Sequence, residues 1–227
     1  SASVILGLSA ACLFLLHPTL ATPVLACAGF VTHAGVWLTQ LIGGWSFAAF
    51  SVVTPTLFEL LLFYSLLTCG FFSIAWTERR LASLARILFF ASLFALLIDC
   101  VLWTYSRYFH RDLRVTFLDV GQGDAAVVEL PGSQVMVIDG GGFASEEFDT
   151  GEAILAPFLW SRKIGHVDIL VLSHPQLDHY GGLAFIAEQF SPRELWFNGE
   201  RSLAARFSQL WTTLERANVN FRALCRE

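Results

Sequence analysis

The chain has 227 residues, of which 55% are hydrophobic and 15% charged, and its formal net charge at pH 7 is −5. Its mean hydropathy of +0.60 exceeds that of ordinary soluble domains, which excludes one uniformly soluble chain. The acidic balance gives no support to a basic DNA-binding surface.

The hydrophobic excess is confined to the first half of the chain. Residues 1–77 contain no Lys or Arg, and their only acidic or imidazole side chains are His17, His33 and Glu59. From Arg107 onward the charge density is that of a soluble domain. We therefore predict a membrane part over 1–106 and a polar domain over 107–227.

The ends and the cysteines add two expectations. The chain begins with Ser and stops after an apparent strand with no closing element, so we expect a piece of a longer protein. Its five cysteines form no C-x-x-C pair, which predicts neither a zinc ribbon nor a disulfide framework.

The membrane part divides into four stretches. Residues 3–30 are almost wholly apolar and are broken by two prolines, which fits one kinked span or two shorter pieces. Residues 33–50 predict an amphipathic helix lying in the membrane interface, because their tryptophans and aliphatic side chains share one helical face. Residues 54–76 and 84–105 are apolar enough and long enough to predict two membrane spans.

The short basic segment over 77–80 connects these two spans. Because cytoplasmic loops are enriched in Lys and Arg, it predicts that this segment is cytoplasmic and that the polar domain lies on the outer side of the membrane. Arg107, Arg111 and Arg114 flank the other end equally well, so the orientation stays open at this point.

Glu59 and Asp99 form a polar pair within the two spans. At about 1.5 Å per residue, an antiparallel hairpin places both roughly 22–27 Å from the connecting segment, near its far side. They predict either a polar path or substrate entrance through the membrane, or simply carboxylates at the wet interface.

In the polar half the hydrophobic period changes from helical to alternating. Three short strands separated by turns come first, and strand–helix units follow, which predicts an α/β layered domain. The predicted strands are 115–118, 125–130, 135–138, 167–172, 194–197 and 219–224, and the predicted helices are 153–160, 183–190 and 204–217.

The candidate chemical site is the segment 173–182, between a buried strand and a helix. His174, Asp178 and His179 offer two imidazoles and a carboxylate, a donor set suited to zinc or manganese. Two adjacent ligands can serve different ions, so one loop could serve a two-metal site that promotes phosphoryl or acyl transfer. The alternative is a polar loop whose side chains only cap the following helix.

Three segments resemble a known family. Residues 118–125 (LDVGQGDA), 137–141 (VIDGG) and 172–182 (LSHPQLDHYGG) resemble the ComEC-type DNA-internalisation competence proteins. In that family a membrane channel segment precedes a metallo-β-lactamase-like domain. The resemblance implies α-helical membrane spans followed by an incomplete αββα-type domain.

The family resemblance also implies a function and a set of site residues. The function is DNA uptake across the bacterial inner membrane, with the outer domain cleaving the strand that is not imported. The partners would be DNA, membrane lipid and other competence proteins. His174, Asp178 and His179 match the metal motif, with Asp178 also the expected catalytic carboxylate, whereas Asp119 and Asp124 match a turn with a backbone-shaping or supporting role.

One position departs from the family pattern. Gln176 stands where a His or a carboxylate is usual, and a neutral amide is a weak ligand for a dication. Either one metal position is impaired, or Gln176 binds a metal-bound water. The family's later ligands would lie beyond the last residue, so we expect no robust activity from these residues alone.

Three functions therefore stay open. The first is a DNA-uptake channel with an active metal-dependent phosphodiesterase. The second is a channel whose hydrolase-like domain is a non-catalytic scaffold, and the third is a membrane-anchored metallo-hydrolase acting on an envelope ester or phosphodiester.

Overall fold

The structure is a computed structural model that describes residues 2–45, 48, 52–143 and 148–224. It forms two compact units, Ser1–Ser51 and Val52–Glu227. The predicted division at residues 106 and 107 follows composition and stays a prediction.

The first unit consists of two helices, α1 (Ala2–Leu16) and α2 (Pro18–Gly43). The chain breaks between them because Pro18 cannot donate a backbone hydrogen bond, whereas it is well suited to the first position of a helix. The His17 ring caps α2 by accepting from the Thr19 N–H at 3.3 Å. Of the two readings of residues 3–30, the structure thus shows two pieces, and Pro23 is tolerated inside α2.

The structure corrects the separate interfacial helix predicted over 33–50. Residues 33–43 are the second half of α2, which continues without a break. The polar side chains in this region do not end the helix because they bond to its own backbone: the Thr39 hydroxyl donates to the Gly35 carbonyl at 2.8 Å. Residues 46, 47 and 49–51 lie outside the described residues.

The second unit begins with a helical hairpin, α3 (Leu57–Ala75) and α4 (Arg79–Tyr108). A capping box starts α3, because Thr56 and Glu59 each accept the other's backbone N–H through their side chains. The two helices pack closely, and the Ser92 hydroxyl donates to that of Ser65 at 3.0 Å. Among the described residues, α2, α3 and α4 are long and apolar enough to cross a membrane.

A six-stranded sheet follows, with strands in sequence order across it. The first three strands form an antiparallel meander, and the last four pair in parallel through helical crossovers. The strands are β1 (Arg114–Phe117), β2 (Ala126–Glu129), β3 (Val135–Ile138), β4 (Ile169–Leu172), β5 (Glu194–Phe197) and β6 (Asn220–Ala223).

The helices between the parallel strands supply much of the core. They are a π-helical turn (Gly151–Leu155) continuing into α5 (Ala156–Ser161), then α6 (Leu177–Tyr180), α7 (Leu183–Phe190) and α8 (Ala205–Arg216). Their apolar faces bury Leu159, Ile186, Phe190 and Leu214 completely against strand residues such as Leu170. This mixed α/β sheet after apolar helices confirms the predicted fold class.

Charged side chains connect the hairpin to the sheet domain. The Lys163 ammonium donates to both carboxylate oxygens of Glu59, at 2.6 and 2.9 Å, and to the Thr54 carbonyl at 2.8 Å. The buried Glu129 carboxylate accepts from Arg162 at 2.9 and 3.1 Å, and Arg107 at the end of α4 lies 3.9 Å from it. The first turn of α3 and the last turn of α4 are therefore both tied to the domain.

Lys163 is the only lysine in the sequence, so amine acetylation reports on this ion pair. Glu59→Gln removes the carboxylate from an ammonium that is only 11% exposed. Losing a charged hydrogen bond of about 2 kcal/mol makes local opening more frequent. We expect Lys163 to be acetylated roughly tenfold faster, measured by mass spectrometry of its peptide.

Glu78→Gln, in the exposed segment between α3 and α4, is the matched control and should leave the rate unchanged. Equal acetylation rates in the wild type and Glu59→Gln would contradict the ion pair.

Candidate functional site

The site lies at the carboxyl ends of two neighbouring parallel strands. Ile138, the last residue of β3, is paired with Val171 of β4, so the loops that follow both strands begin at the same edge of the sheet. Asp139 follows β3 directly, and its N–H donates to the Val171 carbonyl at 2.9 Å. Ser173 and His174 follow β4.

Asp139 is the centre of the hydrogen-bond network. Its carboxylate accepts from the Ser173 N–H at 2.8 Å and from the Ser173 hydroxyl at 2.6 Å, and it lies 2.9 Å from Nδ1 of His179. Asp139 and His179 are both buried. A buried carboxylate requires such donors, so this contact fixes the imidazole with Nδ1 towards Asp139 and Nε2 on the opposite side.

The single-turn helix α6 presents Asp178 and His179 together. Gln176 precedes its first residue, and the Gln176 carbonyl accepts from the N–H groups of His179 and Tyr180 at 3.0 and 3.1 Å. Asp178 Oδ2 lies 3.8 Å from His179 Nε2. Two ligands of one tetrahedral zinc ion stand about 3.4 Å apart, so these two donors are within a few tenths of an ångström of a shared coordination geometry.

His174 lies beside this pair, with its ring centroid 3.8 Å from that of His179. Both of its nitrogens already have partners. Nδ1 is 2.9 Å from the Ser173 hydroxyl, and Nε2 is 3.2 Å from Oε1 of Gln176. The amide that departs from the family pattern therefore occupies the nitrogen that a ligand would turn towards a metal.

The glycine-rich turn predicted near the site packs against α6. Gly123 has φ +94°, and a Cβ placed there would lie 1.8 Å from the Asp178 carbonyl oxygen. Asp119 Oδ1 accepts from the Gly121 N–H at 3.1 Å, and the Asp124 carbonyl accepts from the Gly141 N–H at 2.9 Å. The Asp119 side chain thus contacts loop backbone, whereas the contact of Asp124 is made by its own backbone carbonyl.

Tyr180 closes the buried side of α6. Its ring packs edge-on against Phe207, with centroids 5.3 Å apart. Burial raises the pKa of the Tyr180 hydroxyl, while the nearby Arg206 guanidinium acts in the opposite direction. The phenol therefore stays protonated at neutral pH.

Glu59 and Asp99, the two carboxylates of the predicted membrane spans, do not lie in the loop that contains His174 and α6. Glu59 caps α3 and pairs with Lys163, and Asp99 on α4 lies close enough to interact with both. All three line one cavity at the junction of the hairpin and the domain.

Sequence reasoning assigned no role to Asp139, Ser173 or Lys163. The signal for Asp139 was present, because it follows a buried strand in the same way as His174 does. Lys163 gave no comparable signal, since its partner Glu59 lies 104 residues earlier in the chain.

The donor chemistry of this loop fits a divalent cation: an imidazole held by a carboxylate is the usual support of a metal-ligating histidine. The side chains of this loop do not, however, form a complete metal-binding group. Among residues 2–45, 48, 52–143 and 148–224, no three His, Cys, Asp or Glu side chains are grouped closely enough to hold an ion.

Asp139→Asn tests the contact that orients His179. An amide accepts through one oxygen only, so at least one of the donors now held by the carboxylate loses its partner, and we expect the free energy of unfolding to fall by about 2 kcal/mol. Asp119→Asn is the matched control, because its exposed side chain can still accept from the Gly121 N–H. Thermal denaturation of both variants measures the difference, and equal midpoints would contradict the role given to Asp139.

Comparison with known proteins agrees with this description. Residues 118–211 match the metallo-β-lactamase superfamily. The chain is also similar to ComE operon protein 3 of Bacillus subtilis strain 168, with 34% identity over 92 residues. The aligned part covers 36% of this chain and 12% of that relative, so the chain spans a small part of the relative's length.

These similarities confirm the resemblance predicted from the three motif segments. The superfamily match suggests use of a divalent metal. The similarity and the three helices of membrane-spanning length also fit an inner-membrane protein.

Proposed function

We propose that this chain, which resembles the ComEC-type competence proteins and contains a metallo-β-lactamase-like domain, is part of a membrane protein that takes up DNA. The support is the order of its parts: the hairpin α3–α4 leads directly into the domain within one compact unit, and the three motif segments of that domain meet at one edge of the sheet. DNA and other competence proteins are the partners of this function. Its location is the bacterial inner membrane, with the domain on the outer side.

The finer part of this proposal is hydrolysis of the DNA strand that is not imported. The observation that carries it is the contact between Asp139 and His179, at 2.9 Å. A histidine that binds a metal gains basicity and a fixed direction from such a carboxylate.

The residues that would hold a zinc or manganese ion are His174, Asp178 and His179. When bound, the ion would supply Lewis acidity towards a phosphoryl oxygen. Asp139 holds the His179 ring, and Asp178 contributes the carboxylate beside Nε2. His174 would have to exchange its contact with Gln176, which then remains close enough to hydrogen-bond to a water at the site.

The scaffold is a second candidate function, and Gln176 favours it. Its amide engages His174 Nε2, and the described residues contain no group of three donors. In this alternative the network around Asp139 maintains the loop structure, and the domain serves only to support DNA passage.

Metal content separates the two candidates. The intact protein is purified without chelators, and its metal is counted by inductively coupled plasma mass spectrometry. We expect up to two zinc or manganese ions per chain in the wild type, lost in His174→Ala. Asp139→Asn should weaken metal affinity by about 10–100-fold, because the carboxylate that holds the His179 ring is lost.

Gln176→Asp adds a carboxylate, one of the two ligand types that the family pattern has at this position. Gln134→Asp makes the same change at an exposed residue directly before β3, at the opposite end of that strand from the site. A wild type without metal, together with metal bound by Gln176→Asp but not by Gln134→Asp, would establish the scaffold and refute the hydrolase.

DNA cleavage tests the substrate. With each strand of a duplex labelled separately, Asp178→Asn should slow degradation of the non-imported strand by at least about a hundredfold, because a metal-ligating carboxylate is lost. Glu188→Gln on α7 is the control, and cleavage should be unaffected. If small esters compete for the site and polynucleotide does not, the substrate belongs to the cell envelope rather than to DNA uptake.

A further inference from the structure

The junction between the hairpin and the sheet domain contains a cavity of about 890 Å³ that the proposed hydrolase does not use. Its volume lies within the range of about 300–1,000 Å³ that is typical of small-molecule sites. One side comes from α3 and α4, and the other comes from loops of the sheet domain around α5, β4 and β5.

The side formed by the hairpin is largely apolar. Leu60 and Phe63 of α3 face the cavity together with Leu96 and Trp103 of α4. Leu60 and Phe63 remain 37% and 48% exposed, so their apolar surface is available to a ligand. Since both helices are of membrane-spanning length, this wall is suited to an acyl chain.

One end of the cavity is lined by basic side chains. Arg107 comes from the end of α4, and His166 and Arg193 come from the sheet domain, together with one carboxylate, Asp168. That carboxylate is shared, because its Oδ1 lies 3.6 Å from both the His166 ring and the Arg193 guanidinium. Its Oδ2 accepts from the Val135 N–H at 2.9 Å.

Arg107 is also incompletely neutralised. It stands 3.9 Å from Glu129, whose carboxylate is engaged by Arg162 at 2.9 Å. Nε2 of His166 is buried and makes no hydrogen bond. Of the charged side chains that line the cavity, Arg107 and Arg193 stand at this end with Asp168, whereas Glu59 and Asp99 stand at the other end with Lys163. The charges of the lining balance as a whole, and the positive charge is concentrated at the end near Arg107 and Arg193.

At the other polar end of the cavity, the charged side chains are already paired with one another. Lys163 pairs with Glu59 at 2.6 Å and lies near Asp99. Its ammonium also stands 5.6 Å from the Trp103 ring centroid. These contacts keep the ammonium from an incoming anion, so the anion site is confined to the end near Arg107 and Arg193.

We propose that this cavity binds one membrane phospholipid. Its phosphate lies between Arg107, His166 and Arg193, and one acyl chain runs along the apolar wall formed by α3 and α4. A polynucleotide is less well matched, because binding of successive phosphates needs cations along a groove, and the cations here are confined to one end of an apolar cavity. The site joins the hairpin to the domain through a lipid and does not depend on hydrolysis of DNA.

The test uses the intact protein, delipidated in detergent and titrated with phosphatidylglycerol, with bound lipid counted by native mass spectrometry. We expect one tightly bound lipid per chain. Arg193→Gln, at a side chain that is 72% exposed, should weaken binding about fivefold with little effect on folding. Leu96→Trp fills the apolar wall and should abolish binding, whereas Arg216→Gln, on the exposed end of α8, should bind as the wild type does.

Each of three results would overturn the proposal. One is equal binding of diacylglycerol, which has the acyl chains but no phosphate. Another is unchanged lipid affinity in both Arg193→Gln and Leu96→Trp. The third is that Arg193→Gln weakens binding of a single-stranded oligonucleotide but not of phosphatidylglycerol, which would assign the cations to nucleic acid.

Discussion

The buried carboxylate of Asp139 is the constraint on which the arrangement of the candidate site depends. Because this charge is removed from water, it is stable only with hydrogen-bond donors around it. These donors come from the end of β4 and from α6. The same loop continues the network, since the Gly140 N–H donates to the His179 carbonyl at 2.6 Å. One desolvated charge thus joins the end of β3 to a loop whose contacting residues lie 34 and 40 residues later in the sequence.

Close backbone packing completes this arrangement. Gly123 and Gly142 approach the backbone of α6 so closely that a Cβ at either position would overlap a carbonyl oxygen. Asp139 itself adopts φ +56°, in the left-handed region that an aspartate tolerates better than most residues. The motif residues therefore fall into two groups. One group is glycines that allow two stretches of backbone to approach closely, and the other is residues whose side chains offer candidate metal-ligand atoms.

The sequence predicted the fold class and most of the strand and helix positions because short apolar blocks are separated by turn residues. β3, β5 and α7 occur at their predicted bounds. The loop that contains His174 was identifiable because it follows a buried strand and precedes Gly181 and Gly182. Local patterns therefore sufficed wherever the determining residues are near one another.

Long-range contacts set the limit of that reasoning. The role of Asp139 depends on partners 34 and 40 residues later, and no local pattern pairs them. The extent of α2 was missed for the opposite reason: its hydroxyl groups are satisfied one turn away, so polar composition did not indicate a helix end.

The change from antiparallel to parallel pairing at β3 has a consequence for synthesis of the chain. The hairpin and the meander β1–β3 are formed by neighbours in sequence, and such contacts form early. β4 can pair only after the crossover through α5 has left the ribosome, and Ser173 and His179 come later still. Until then Asp139 has none of its side-chain partners and remains hydrated, so a chain paused before β4 carries the hairpin and the meander without the contacts that orient His179.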